Sequence, residues 1–230
     1  MKKVICMLFL VGSVACSTED SPEDARSGNA ALKSTASDDS EAANLANPFD
    51  DRGVAYLQLA DYYEALDTKP SGNTAIIDAL EAIAVSLNIS SQEYDPEVSQ
   101  GIHEIKQLSA SQPQTVLEGL NISSEGRGHL RAVLNELKAL KDQEAGYDAV
   151  YNALVNREQS ILESSLVLKD KETLLSTLSI LRYSVYSKSR RKRKDRDWEL
   201  SVGNVMATSY GAVSSRPNAI ISGVASEYIN

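Results

Sequence analysis

The chain has 230 residues, 42% of them apolar, enough for one domain with a sizeable core. Its formal net charge of −9 argues against general nucleic-acid binding. Cys6 and Cys16 are its only cysteines, so residues 17–230 can hold no disulfide, thiolate nucleophile or thiolate metal site.

The chain opens MKKVICMLFLVGSVAC. Lys2 and Lys3 give a positive start, Val4 to Val11 an apolar core, and Gly12 to Ala15 small or modest residues before Cys16. This reads as a secretory signal peptide over residues 1–15, too short to span a bilayer with any margin. The cysteine at the cleavage point resembles the bacterial lipoprotein signal, although Ser13 stands where Leu is usual. The resemblance implies a lipidated Cys16 as first mature residue, and acyl chains as the tie to the membrane. One acyl chain holds only marginally, at about 0.8 kcal/mol per buried methylene, whereas the several chains of bacterial lipoproteins hold firmly. Loss of residues 1–15 removes Lys2 and Lys3 and takes the net charge from −9 to −11. Position 17 is Ser, and Glu19, Asp20, Glu23 and Asp24 follow. That pattern resembles the acidic signal of surface-exposed Bacteroidota lipoproteins and implies the outer membrane first, the cell exterior second.

Residues 16–46 are rich in Ser, Ala, Asp and Glu and poor in large apolar side chains, so a disordered acidic tether is expected. Asn47-Pro48-Phe49-Asp50 opens the folded part, with Asp50 or Asp51 as helix cap. Tyr56, Leu59, Tyr63 and Leu66 follow at helical spacing, and Pro70 and Gly72 end that helix. Thr74 is the expected cap of the next, with Ile76, Leu80, Ile83 and Leu87 as its stripe. Asp95-Pro96 starts a third, with proline where a missing N–H costs nothing. A short turn or helix is expected over Pro113 to Leu120. Ser124 then caps a longer helix carrying Leu130, Val133, Leu134, Leu137 and Leu140, which Gly146 breaks or bends. Tyr147, Val150, Leu154 and Ile161 mark the next, and Asp170 caps another with Leu174, Leu178, Leu181 and Val185 on one face. The expectation is an all-α domain, a single bundle of about seven helices over residues 47–196. Leu-Asn-Ile-Ser-Ser recurs at 87–91 and 120–124, which reads as similar helix-end chemistry rather than a solenoid.

Asn47-Pro48-Phe49-Asp50, Gly53 and Asp61-Tyr62 resemble the opening of a group of uncharacterised Bacteroidota lipoproteins with an Asn-Pro-(Tyr/Phe)-Asp start and a C-terminus rich in small residues. Many of these also carry a His-Asn pair, which falls at Tyr56-Leu57 here, so any chemistry of that pair is lost. The resemblance implies a helical envelope lipoprotein and no known activity. An enzyme reading would start at Asp61, Tyr62 and Tyr63, because the motif places them together.

His103 and His129 belong to no helical metal-binding pair, and no catalytic residue, metal or cofactor is implied. Ser123 to Gly128 looks like an anion cradle but lacks phosphate-loop spacing and reads better as a capped turn. The sharpest feature is the run from Lys188 to Arg196. Lys188, Arg190, Arg191, Lys192, Arg193, Lys194 and Arg196 make seven of its nine residues cationic. It suits anionic lipid, lipopolysaccharide phosphates or an acidic protein surface. The bland alternative is a solvated helix end complementing the helix dipole. No aromatic ladder accompanies it for nucleic acid, and Trp198 alone stands beside it.

Residues 197–230 are expected to form a helical segment packed on the bundle. Gly203, Ala207 and Gly211, then Ala219 and Gly223, are spaced by four, which lets helices approach closely. The uncharged run between Glu199 and Arg216 is shorter than the ~20 residues of a membrane span. The function expected is that of a non-enzymatic, lipid-anchored outer-membrane protein with a binding or structural role. The alternative is a membrane-active protein that inserts its C-terminal helical hairpin.

Overall fold

A computed structural model of the protein describes residues 41–90, 93–191 and 200–229, with the side chain of residue 191 left out. Cys16, the tether before residue 41, and Lys192, Arg193, Lys194, Arg196 and Trp198 lie outside the described residues. The described residues are all-helical, as expected. They hold ten helices rather than about seven: α1 Asp51–Glu64, α2 Asn73–Ser86, α3 Pro96–Gln100, α4 Ile102–Ser111, α5 Pro113–Gly119, α6 Ser124–Asp142, α7 Tyr147–Glu163, α8 Leu168–Arg191, α9 Val202–Ser214 and α10 Arg216–Tyr228. Eight of them, α1 to α8, fall within the range where about seven are expected, and α9 and α10 make up the C-terminal segment. The chain bends at Gly101 between α3 and α4, and Pro113 and Pro217 each open a new helix in its first turn.

α8 is the axis. It is buried on every side from Thr173 to Ser187. One side, through Ile180, Tyr183 and Tyr186, joins a cluster with α1, α2 and α10 that includes Tyr56, Tyr63, Leu80 and Ile220. The other side, through Leu174, Leu178, Leu181 and Val185, joins a leucine-rich cluster with α5, α6, α7 and α9. Each fully buried Leu contributes roughly 1.5–3 kcal/mol relative to exposure. Several Ser and Thr residues of α8 bond locally or to neighbours, while Ser187 Oγ is buried without a hydrogen-bond partner. Thr177 Oγ1 donates to the Thr173 carbonyl (2.8 Å), and Ser184 Oγ to Glu227 Oε1 (2.5 Å).

α10 lies at the centre as well, buried from Pro217 to Ser226. The small residues explain how it fits. A methyl at Gly211 would overlap the Asn218 carbonyl and lie 2.6 Å from Ser222 Oγ, so α9 and α10 pack backbone against backbone. A methyl at Gly223 would meet Ile180 Cγ2 at 2.7 Å and Tyr56 Cδ2 at 3.3 Å, which ties α10 to α8 and α1. Among the described residues no helix is long and apolar enough to cross a membrane.

Several helix starts differ from the pattern-based expectation by a residue or by mechanism. α2 is preceded by Gly72 at φ 91 with no side-chain cap, so Thr74 sits inside the helix. Ser123, not Ser124, caps α6, accepting from Gly126 N (3.0 Å). Asp170 lies within the first turn of α8 and accepts from Ser123 N (3.0 Å), serving the start of α6 instead. Asp95 caps α3 as expected, with Glu97 N at 3.0 Å. The two Leu-Asn-Ile-Ser-Ser copies end their helices differently: Asn88 stands at φ 55, while Leu120 is extended.

Candidate functional site

The Asn47-Asp50 motif is a clasp across α7 and α8. Asn47 Oδ1 accepts from Phe49 N (2.9 Å), turning the chain into α1. Asn47 Nδ2 donates to Glu158 Oε1 (2.7 Å) on α7 and to the Leu175 carbonyl (3.0 Å) on α8. Asn44 Nδ2 donates to the other Glu158 oxygen (2.6 Å). Behind them Arg182, with 0% of its side chain exposed, places Nε 3.1 Å from both Glu158 oxygens. Its Nη1 donates to the Ala42 carbonyl and its Nη2 to Asp50 Oδ1. Asp50 precedes α1 without capping it, because Arg182, Ser179 and Tyr183 hold its carboxylate. Gly53 N then donates to Ser179 Oγ (3.0 Å), and a methyl there would overlap the Tyr183 ring.

Burial pushes the Glu158 carboxyl up, and Arg182, Asn44 and Asn47 pull against this without cancelling it. Burial also disfavours the charge on Arg182, but Glu158 and Asp50 outweigh it and hold the guanidinium firmly protonated. Each of these groups is spent on another, so the cluster holds the chain and offers no face to a substrate. Residues 41–46, assigned by composition to the tether, are therefore docked: Ala42 is fully buried and Asn44 is part of the clasp.

Further along α1 the motif positions separate. Tyr56 and Leu57 are buried, and Tyr56 OH donates to Glu227 Oε1 (2.6 Å). Burial, with the Glu227 charge behind it, raises the Tyr56 phenol well above its ordinary value. Asp61 and Tyr62 are exposed, while Tyr63 is buried with its ring centroid 4.5 Å from that of Tyr228.

The docked segment leads to the C-terminal end of α8. Tyr151 OH donates to the Ala43 carbonyl (2.8 Å) and Tyr147 OH to the Glu41 carbonyl (3.2 Å). The Tyr147 ring lies 6.1 Å from that of Tyr186, and the Arg190 guanidinium stacks on Tyr186 at 5.0 Å. Arg190 also approaches Asp61 (3.5 Å), and Lys188 Nζ lies 3.3 Å from Glu227. Two of the seven cations of the basic run thus have partners inside the fold.

The other candidates resolve locally. His103 Nε2 is 2.9 Å from Gln107 Nε2 on the same helix. His129 is half-buried; burial, and then the nearby Arg157, lowers its pKa. At the Ser123–Gly128 turn the Asp170 carboxylate already occupies the start of α6, 3.3 Å from where a Gly126 methyl would be. Among the described residues no three His, Cys, Asp or Glu side chains gather to hold a metal ion.

Two clefts remain. One, of about 560 Å³, lies between α8 and the α9–α10 turn, and its charges pair across the wall: Arg52 with Glu172 (3.4 Å) and Arg216 with Asp51 (3.3 Å). The other, of about 460 Å³, lies between α4, α6 and the start of α9, with aliphatic walls and Lys106, Lys138 and Lys141 around them. Sequence reasoning missed both the clasp and this cleft. Glu158 and Arg182 carry no local signal of each other, and the lysines come from separate helices. No family model, curated protein or solved structure matches the chain.

Proposed function

We propose that the protein is a lipid-anchored, non-enzymatic component of the cell envelope. Cys16 ties it to the outer membrane, facing outward, and the Lys188–Arg196 run turns toward an anionic surface of lipid headgroups or lipopolysaccharide phosphate. One observation carries this reading. Through Tyr147, Tyr186 and Arg190, the point where the chain leaves toward the anchor and the point where the basic run begins meet at one end of the α7–α8 hairpin. An anchor pulling at Glu41 brings that end to the bilayer first. Lys188 and Arg190 steady the end of α8 there, and Arg191, Lys192, Arg193, Lys194 and Arg196 supply the attraction, at about 1 kcal/mol per cation close to an anionic surface.

The test is co-sedimentation of the Cys16→Ala protein with vesicles of neutral lipid, with and without phosphatidylglycerol. Binding is expected only to the anionic vesicles, weakening steeply with salt. It should vanish when those five cations become Gln. Equal binding by that variant, or preference for an acidic protein over anionic vesicles, would overturn the reading. Fractionation with Cys16→Ala as control tests the anchor, and protease cleavage on intact cells tests the outward orientation.

A further inference from the structure

We propose that the cleft between α4, α6 and the start of α9 binds one acyl chain with an anionic head. The walls set the tail. Leu134 and Leu137 of α6 and Leu200 before α9 face the space, with no aromatic ring to stack a base or sugar. Val202, at the same wall, stays 38% exposed, so apolar surface lies open at the mouth. The volume, about 460 Å³, is that of a small-molecule site rather than a protein-docking groove.

The rim sets the head. Lys138 and Lys141 stand with one aspartate, Asp142, in a chain whose net charge is −9, so the local sign is opposite to that of the whole. Along α6 the residues Leu134, Lys138 and Lys141 fall at i, i+4 and i+7 on one stripe, and the stripe changes from apolar to cationic toward the helix end. A tail therefore lies inward and a head outward. Lys141 also suits the C-terminal dipole of its own helix, and Lys106, from the middle of α4, supplies its aliphatic stem to the wall. Lys106 lays its stem beside Gly203 (3.4 Å from a Gly203 methyl) and donates Nζ to the Ile229 carbonyl. Burial, then Lys188, depresses its pKa, with Glu227 pulling the other way. The site stands on these residues alone and does not depend on the Cys16 anchor.

The test uses the full Cys16→Ala chain and radiolabelled palmitate, with lysophosphatidylglycerol as the phosphate-headed arm and cetyl alcohol as the uncharged one. One palmitate or one lysolipid per chain is expected, with cetyl alcohol much weaker. The two anionic arms decide between a carboxylate and a phosphate source. Reversing both charges (K138E with K141E) should weaken binding about tenfold or more. Ala110→Trp, an exposed wall position, should block it at unchanged melting temperature. Binding that ignores both variants, equal binding of cetyl alcohol, or no binding of either anion would overturn the proposal. So would a natively lipidated protein that takes palmitate only after Cys16→Ala, since the occupant would then be the protein's own anchor.

Discussion

Arg182 and Lys138 are both cations in an acidic protein, and the fold uses them in opposite ways. Arg182 has no exposed side-chain surface and spends its planar fork on Glu158, Asp50 and the Ala42 carbonyl. Lys138 stands exposed on α6 beside an aliphatic cleft. A guanidinium matches two carboxylates and a carbonyl at fixed angles, while an ammonium on a flexible stem reaches toward a charge whose position is not preset. The buried, fully paired cluster fixes architecture, and the lysine-rimmed cleft is where a ligand is proposed.

Arg182→Met leaves Glu158 and Asp50 without their cation and is expected to cost about 3–5 kcal/mol in denaturant unfolding. Adding Glu158→Leu should recover part of that loss, because the unpaired buried carboxylate is gone. Next comes Gly53→Ala, whose methyl would overlap Tyr183 and lie 2.5 Å from Ser179 Oγ. About 1–3 kcal/mol is expected as α1 is pushed off α8. Lys138→Glu should change stability by less than about 0.5 kcal/mol while altering ligand binding. A loss like that of Arg182→Met would erase the contrast. The smallest effect is at His129, which lies outside both clusters. Its pKa is lowered in the fold, so the unfolded chain takes up the proton first as pH falls. Stability should decline below pH about 6.5 and level off beneath the depressed pKa, and His129→Gln should remove that slope in melts across pH.

The stripes of single helices were legible in the sequence. Leu130, Val133 and Leu137 of α6 and Tyr56, Leu59 and Tyr63 of α1 are buried as their spacing implies. α8 was only half legible. Its leucine face announced itself, but Ser179 and Ser184 conceal the second buried face, since polar residues suggest solvent until their partners are known. α10 was legible as a closely packed helix but not by its neighbours: Ala219, Gly223 and Ser222 are small, and smallness signals close packing without naming the partner. The clasp was beyond reach. Asn47-Pro48-Phe49-Asp50 was visible as a motif, but Glu158 and Arg182 lie more than a hundred residues away. The cleft lysines fall on two helices and gain meaning only when α9 closes the third wall.

That separation also sets an order of events. Asn47 emerges from the ribosome 111 residues before Glu158, and Asp50 132 residues before Arg182. At about 5–20 residues per second, on the order of ten seconds pass before the partners exist. Residues 41–50 therefore stay undocked through most of the chain's synthesis. The closing of Arg182 over Ala42 is a late step that locks residues 41–50 only once α7 and α8 have come together.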